Sequence, residues 1–140
     1  MENLTIAKAA RVAGVGVETI RFYERKGLIE QPLKPQSGGF RTYPSATIHR
    51  ITFIQQAQDL GFSLREIEEL LALKADPGTD CSDVRKRASV KLQEVQNKVA
   101  RLEMMGTALK SVIAACPSSG SLEGCSILGA MESASARFDR

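Results

Sequence analysis

TIAKAARVAGVGVETIRFYERKG, residues 5–27, decides the fold. Thr5 is a suitable helix N-cap, since a threonine hydroxyl accepts from the free N–H groups of a first turn, and Gly14 is a suitable stop, since glycine closes a helix in the left-handed conformation. The stretch from Thr5 to Ala13 therefore predicts one short helix. After Val15 and Gly16 a second is predicted from Val17 to Lys26, closed by Gly27. Two short helices joined by a tight glycine-containing turn form a helix-turn-helix pattern. Ala10, Gly14 and Ile20 stand where that motif needs a small residue, a turn residue and a core residue.

Many helical hairpins share this pattern, so the flanking sequence matters. LIEQPLKPQSGGFRTY (28–43) carries two prolines, a Ser-Gly-Gly turn and a Phe-Arg-Thr-Tyr end, and predicts a two-stranded hairpin, a wing beside the helix-turn-helix. Pro44 and Ser45 open a third helix ending near Gly61. Ser63 with Glu66 makes a capping box for a fourth, reaching about Leu73. KADPGTD (74–80) is a loop by its Pro-Gly and its aspartates.

Between Ser82 and Ala115 there is no proline and a single glycine, Gly106. Ala88, Leu92, Val95, Val99, Leu102, Gly106, Leu109 and Ile113 recur in alternating steps of four and three, a heptad seam. A lone helix of this length does not bury such a stripe, so pairing with a second chain is expected. The alternative, a helix lying across its own N-terminal domain, is disfavoured by the Lys, Arg, Glu and Gln between the seam positions. Pro117 ends the helix, PSSGSLEG (117–124) is a loop, and the tail from Ile127 to Arg140 has room for one helical turn. The expected organisation is mainly α. A winged helix-turn-helix domain covers 1–73, a linker 74–81, an antiparallel coiled-coil dimerisation helix 82–115, and a metal-binding loop and tail 116–140.

Composition narrows the class. With 140 residues and 43% hydrophobic content, the chain suits a small folded domain plus an extended element, and disorder is not the default. A net charge of +3 is too small to argue for nucleic acid, yet seven Lys or Arg lie between Lys8 and Arg41. That clustering indicates a basic N-terminal face, with a merely solubilising surface as the plain alternative. No apolar run approaches the ~20 residues that cross a bilayer, and the N-terminus lacks the apolar stretch of a secretory leader, so the cytoplasm is the expected location. In that compartment an odd set of three cysteines points to a metal or redox role before a disulfide framework, inert buried thiols being the competing reading.

Cys81, Cys116 and Cys125 hold the chain's main chemical information. The seam extended backwards from Ala88 reaches Cys81, and extended forwards from Ile113 it reaches Cys116. A continuous helix would separate these thiols by roughly 50 Å at 1.5 Å per residue. Thiolates sharing one ion each lie only about 2.3 Å from it, taking zinc as the guide. One chain therefore does not bring Cys81 and Cys116 to the same metal. An antiparallel helix pair sets Cys81 of one chain beside Cys116 of the other, with Cys125 returning on the loop after Pro117, and two-fold symmetry then makes two such sites. Three thiolates with no nearby histidine (the single His49 is in the N-terminal half) select a soft ion. Structural zinc normally takes four ligands. Mercury(II), softer and tolerant of three sulfurs, fits better than zinc, with cadmium(II) and lead(II) as alternatives.

VETIRFYERKGLI (17–29), GGFRTY (38–43) and LGFSLREIEELL (60–71) resemble the signature blocks of the MerR family of regulators. The resemblance runs from the N-terminal domain to the Cys116 loop and implies a winged helix-turn-helix followed by a long helix that pairs antiparallel in a homodimer. It implies DNA contacts by Thr19, Arg21 and Tyr23 on the second helix and by Arg41 on the wing. Arg21 has the reach for a phosphate or a guanine edge, Tyr23 for a phosphate, and Arg41 for anchoring the wing. Phe22 is expected in the core. Within the family, a cysteine at the position of Cys81 implies a divalent rather than a monovalent metal, and the Cys116-x8-Cys125 spacing is similar to that of the mercury sensors. Lead sensors look close to this as well. The resemblance further implies a dimer on double-stranded promoter DNA whose polymerase elements are badly spaced, with metal binding distorting the DNA so that RNA polymerase can start. Residues alone leave a second class open, a thiol metal-binding or redox-linked dimer without DNA binding, against which the basic helix-turn-helix speaks. An enzyme is not expected: His49 stands alone, and neither a nucleophile–base constellation nor a Gly-rich phosphate loop is present.

Overall fold

Capping sets the first element boundaries. In the computed structural model, which describes residues 4–132, strand β1 (Leu4–Thr5) runs directly into helix α1 (Ile6–Ala13). The Thr5 hydroxyl accepts from the Lys8 N–H at the N-terminus of α1. At the other end Gly14 takes φ 75°, and the Val15 N–H donates to Ala10 O at 2.9 Å. This left-handed closure satisfies carbonyls that the helix end would leave open, and any side chain at Gly14 would resist it. Helix α2 (Val17–Arg25) ends the same way, with Gly27 at φ 75° and the Leu28 N–H donating to Tyr23 O. Its last helical residue is Arg25, one short of the expectation.

The expected hairpin within residues 28–43 does not form. Instead β2 (Thr42–Tyr43) pairs antiparallel with β1, Leu4 opposite Tyr43 and Thr5 opposite Thr42. Pro32 and Pro35 have no N–H to give to a ladder, which removes the partner strand that the pattern suggested. The segment is held as a loop by two local bonds, Gly38 N–H to Pro35 O at 3.1 Å and Arg41 Nε to Pro32 O at 2.7 Å.

Helix α3 (Ser45–Asp59) follows, then α4 (Leu64–Ala75). The capping box is formed in full: Ser63 Oγ accepts from the Glu66 N–H at 3.2 Å and the Glu66 carboxylate accepts from the Ser63 N–H at 2.8 Å. Lys74 and Ala75, read as loop residues, are the last two of α4. Helix α5 (Cys81–Ala114) is a single 34-residue element. A 3-10 turn (Leu122–Gly124) and the seven-residue helix α6 (Ser126–Glu132) close the described chain, so the helical turn expected in the tail is present, while residues 133–140 lie outside the described residues.

The core belongs to the N-terminal elements. Ile20 of α2, Ile51 and Ile54 of α3, and Ile67 of α4 are fully buried, with Ala9 and Ala10 of α1 letting the neighbouring helices approach closely. Burial of each such isoleucine contributes about 1.5–3 kcal/mol. Helix α1 packs on both α2 and α3, and α3 packs on α4. Residues through Lys91 form one compact unit and those from Leu92 another, the division falling inside α5. No α5 residue is buried. Leu92, Val99, Leu102, Leu109 and Ile113 of its seam are all about half exposed or more. Among the described residues no helix is long and apolar enough to cross a membrane.

Candidate nucleic-acid interface and cysteine sites

The exposed face of α2 follows from its helical period. Ile20 and Tyr23 point into the core, which leaves Glu18, Arg21 and Arg25 on the opposite side, in steps of three and four. Arg21 is exposed, Thr19 half-buried. Arg41 is half-buried, its Nε spent on Pro32 O, so the rest of its guanidinium extends from a fixed stem. Arg21, Lys34 and Arg41 line one concavity of about 320 Å³ together with Glu24 and Tyr43. Two of the predicted DNA-contact residues are thus brought together, and Lys34, which motif reasoning passed over, joins them.

Tyr23 is placed differently from its predicted role. Its side chain is 1% exposed, and its hydroxyl donates to Gln58 Oε1 at 2.6 Å, with Gln55 Oε1 at 3.2 Å. Burial, reinforced by the nearby Asp59 carboxylate, pushes this phenol above its ordinary pKa. A ring held this way ties α2 to α3. The period of α2 agrees with this burial, because Tyr23 lies three residues from the core residue Ile20. Tyr43, left without a role in the sequence, is also buried and donates to the Glu24 carboxylate. Its phenol is raised by burial and by Glu24, while Arg21 and Arg41 pull in the opposite direction. Phe22 packs against the core as expected, with the Lys26 ammonium 5.6 Å from its ring centre.

The cysteines sit at the two ends of α5. Cys81 is its first residue and is exposed. Cys116 follows its last turn, where the Cys116 N–H donates to Ile113 O at 3.0 Å. The chain then reverses through Ser118 (φ 78°) and Gly120 (φ 127°), and Ser126 Oγ reaches Val112 O at 3.5 Å. That contact folds the segment holding Cys125 back toward the end of α5, and Cys116 and Cys125 are both half-buried. Among the described residues of the single chain, no group of three His, Cys, Asp or Glu side chains is gathered closely enough to hold a metal ion.

Residues 4–74 match the family described as MerR HTH family regulatory protein, and residues 48–112 match the one described as MerR, DNA binding. The chain belongs to the MerR family. Its MerR-family relatives include the mercuric resistance operon regulatory protein of Shigella flexneri, 45% identical over 132 residues, 94% of this chain and 90% of that one. Among solved MerR-type structures, the lead(II) complex of the transcription regulator PbrR691 from Ralstonia metallidurans CH34 is similar with a TM-score of 0.79 at 28% identity, covering 91% of this chain and 98% of that chain. The mercury(II) complex of the dual-function regulator MerR from Bacillus megaterium MB1 is similar with a TM-score of 0.66 at 31% identity, covering 88% and 94%. The chain is thus a MerR-type DNA-binding transcriptional regulator with a mainly helical fold built on a helix-turn-helix and a small two-stranded sheet.

One set of residues escaped the motif reading altogether. Lys91 of α5 pairs with Glu66 of α4 at 2.8 Å, and Arg87 pairs with Glu69. The Lys91 ammonium and the Ser63 N–H together hold the Glu66 carboxyl down to about 2. The signal was present in the sequence as two complementary helix faces, Glu66 and Glu69 three apart on α4, Arg87 and Lys91 four apart on α5.

Proposed function

We propose that this chain acts as a cytoplasmic homodimer on a two-fold symmetric promoter operator and switches transcription when mercury(II) binds, lead(II) or cadmium(II) being the alternative effectors. The observation that carries this reading is the placement of the thiols: Cys81 opens a 34-residue helix, and Cys116 and Cys125 flank the reversal at its other end. At 1.5 Å per residue such a helix is about 51 Å long, so a site using all three thiols takes Cys81 from one subunit and Cys116 with Cys125 from its partner. The exposed seam of α5 supports the pairing, because leucine, valine and isoleucine at heptad spacing form a dry interface once a second copy covers them. Three thiolates suit a soft divalent ion, whose contribution is to bridge two subunits with sulfur bonds. The proposed chain organisation is a DNA-binding domain ending with α4, a linker from Asp76 to Asp80, α5 as the dimerisation helix and a metal-binding segment from Cys116 onward.

On the DNA side, Arg21 and Thr19 of α2 face the major groove, while Arg41 and Lys34 hold the backbone beside it. Tyr23 sets the tilt of α2 from within the core. Metal binding favours the dimer conformation that distorts the promoter, which brings the polymerase elements into usable register for RNA polymerase.

Subunit complementation tests the shared site. Cys81→Ala and Cys116→Ala homodimers each lose tight mercury(II) binding, because each spoils both symmetric sites. A heterodimer of the two variants keeps one intact site, with Cys81 from the Cys116→Ala chain and Cys116 and Cys125 from the Cys81→Ala chain. Mixing the inactive proteins under conditions of verified subunit exchange restores one tightly bound ion per heterodimer, read from thiolate–metal charge-transfer absorption. A site within one chain gives no rescue, and that result would overturn the proposal.

A further inference from the structure

The start of α5 meets the DNA-binding domain through charged side chains. Lys91 contacts the corner between α3 and α4 at several points at once. Its Nζ is 2.8 Å from Glu66 and 5.5 Å from the centre of the Phe62 ring, and its stem lies where a Cβ on Gly61 would be 3.8 Å from it. The Lys91 side chain is only 13% exposed. Glu66 has a second task, accepting from the Ser63 N–H at the start of α4. One carboxylate therefore both fixes the first turn of α4 and takes hold of α5. One turn earlier on α5, Arg87 takes hold of Glu69. Both pairs line a groove of about 440 Å³ together with Phe62, Leu70, Leu73 and Val90.

This construction differs from the core, where Ile51, Ile54 and Ile67 are fully buried. Interdigitated side chains resist displacement, whereas long charged chains spanning an open groove can exchange partners or pivot without opening a cavity. The lever is short and stiff. Cys81 stands ten residues before Lys91 on the same helix, about 15 Å along its axis. From the Phe62 corner the packing is continuous, α4 on α3, α3 on α1, and α1 on α2.

We propose that the Glu66–Lys91 pair, seated on the Phe62 ring and backed by Arg87–Glu69, is the joint through which an event at Cys81 resets the DNA-binding helices. The proposal rests on the reading of Cys81 as a metal ligand. In this scheme Glu66 and Lys91 are positioning residues: they touch neither DNA nor metal, and they convert a displacement of α5 into a displacement of the α3–α4 corner.

The test separates coupling from both binding events. Glu66→Gln keeps an oxygen to accept from the Ser63 N–H, so the cap survives while the charge is lost. Lys91→Met keeps the stem and removes the ammonium, and Lys91→Arg keeps the charge. Each full-length dimer is titrated with mercury(II) chloride and with end-labelled DNA selected from a random-sequence pool by the wild-type protein. The change in end-to-end energy transfer on adding mercury(II) reports the distortion. Glu66→Gln and Lys91→Met retain mercury(II) affinity and metal-free DNA affinity but lose most of the mercury-dependent change, and Lys91→Arg restores it. A full wild-type response in Glu66→Gln or Lys91→Met, or a loss of metal-free DNA affinity equal to the loss of response, overturns the joint. A wild-type dimer that binds the selected DNA but shows no mercury-dependent change overturns the metal reading, and the joint with it.

Discussion

Leu102→Ala weighs the exposed seam directly. Leu102 is 62% exposed in the single chain. The substitution removes three carbons, each contributing about 0.8 kcal/mol when fully buried, or about 2.4 kcal/mol together. Only the fraction still exposed in the single chain is available to dimerisation, which scales this to about 1.5 kcal/mol per chain. A two-fold dimer contains the residue twice, so the loss is about 3 kcal/mol, roughly a 150-fold rise in the dimer dissociation constant. Alanine is the stronger helix former, so α5 itself is not weakened, and any loss comes from the interface. Sedimentation equilibrium across a range of protein concentrations measures the constant. Val12→Ala provides the control, since Val12 is 66% exposed but belongs to α1 and not to the heptad seam, and leaves dimerisation unchanged. A Leu102→Ala dimer as tight as the wild type, or an equal effect of Val12→Ala, would refute a dry interface along α5.

Three further outcomes follow from the DNA-binding unit. Arg21→Ala weakens DNA binding while metal stoichiometry stays constant in a titration of the reduced protein; a loss confined to one base position costs about 1–3 kcal/mol and marks Arg21 as reading sequence. Tyr23→Phe removes a part-buried hydroxyl bonded to Gln58 and lowers the unfolding free energy by about 1 kcal/mol in urea titration, whereas a tyrosine acting only at the DNA surface leaves stability unchanged. The Glu66 carboxyl, held down to about 2 by Lys91 and the Ser63 N–H, gives stability that is fully present above its ordinary pKa of 4.5 and disappears as pH falls toward 2. The carboxyl lies close to solvent, so screening keeps that contribution small. Urea midpoints between pH 5 and 2.5 therefore fall less steeply in Glu66→Gln than in the wild type, and identical slopes would remove Glu66 from the acid response.

Local rules in the sequence determined most of the elements. The N-cap at Thr5, the glycine stop at Gly14 and the Ser63–Glu66 capping box each involve atoms within five residues of one another, so residue order alone specifies them. The seam was legible for the same reason, because a heptad is a property of one helix, and the positions of the three cysteines relative to it came with that reading. Tertiary structure decided whatever depended on a distant partner. A strand needs another strand, and only the folded chain shows that Thr42–Tyr43 finds Leu4–Thr5 rather than residues closer in sequence. A tyrosine on a recognition helix looks the same in sequence whether it faces DNA or the core, and Tyr23 faces Gln58, thirty-five residues away. The charges on the facing sides of α4 and α5 are written in the sequence, but the meeting of Lys91 with Glu66 rests on where α5 starts relative to α4. Short-range hydrogen bonding and helical period are written in residue order, whereas long-range pairing is selected by burial of the whole core.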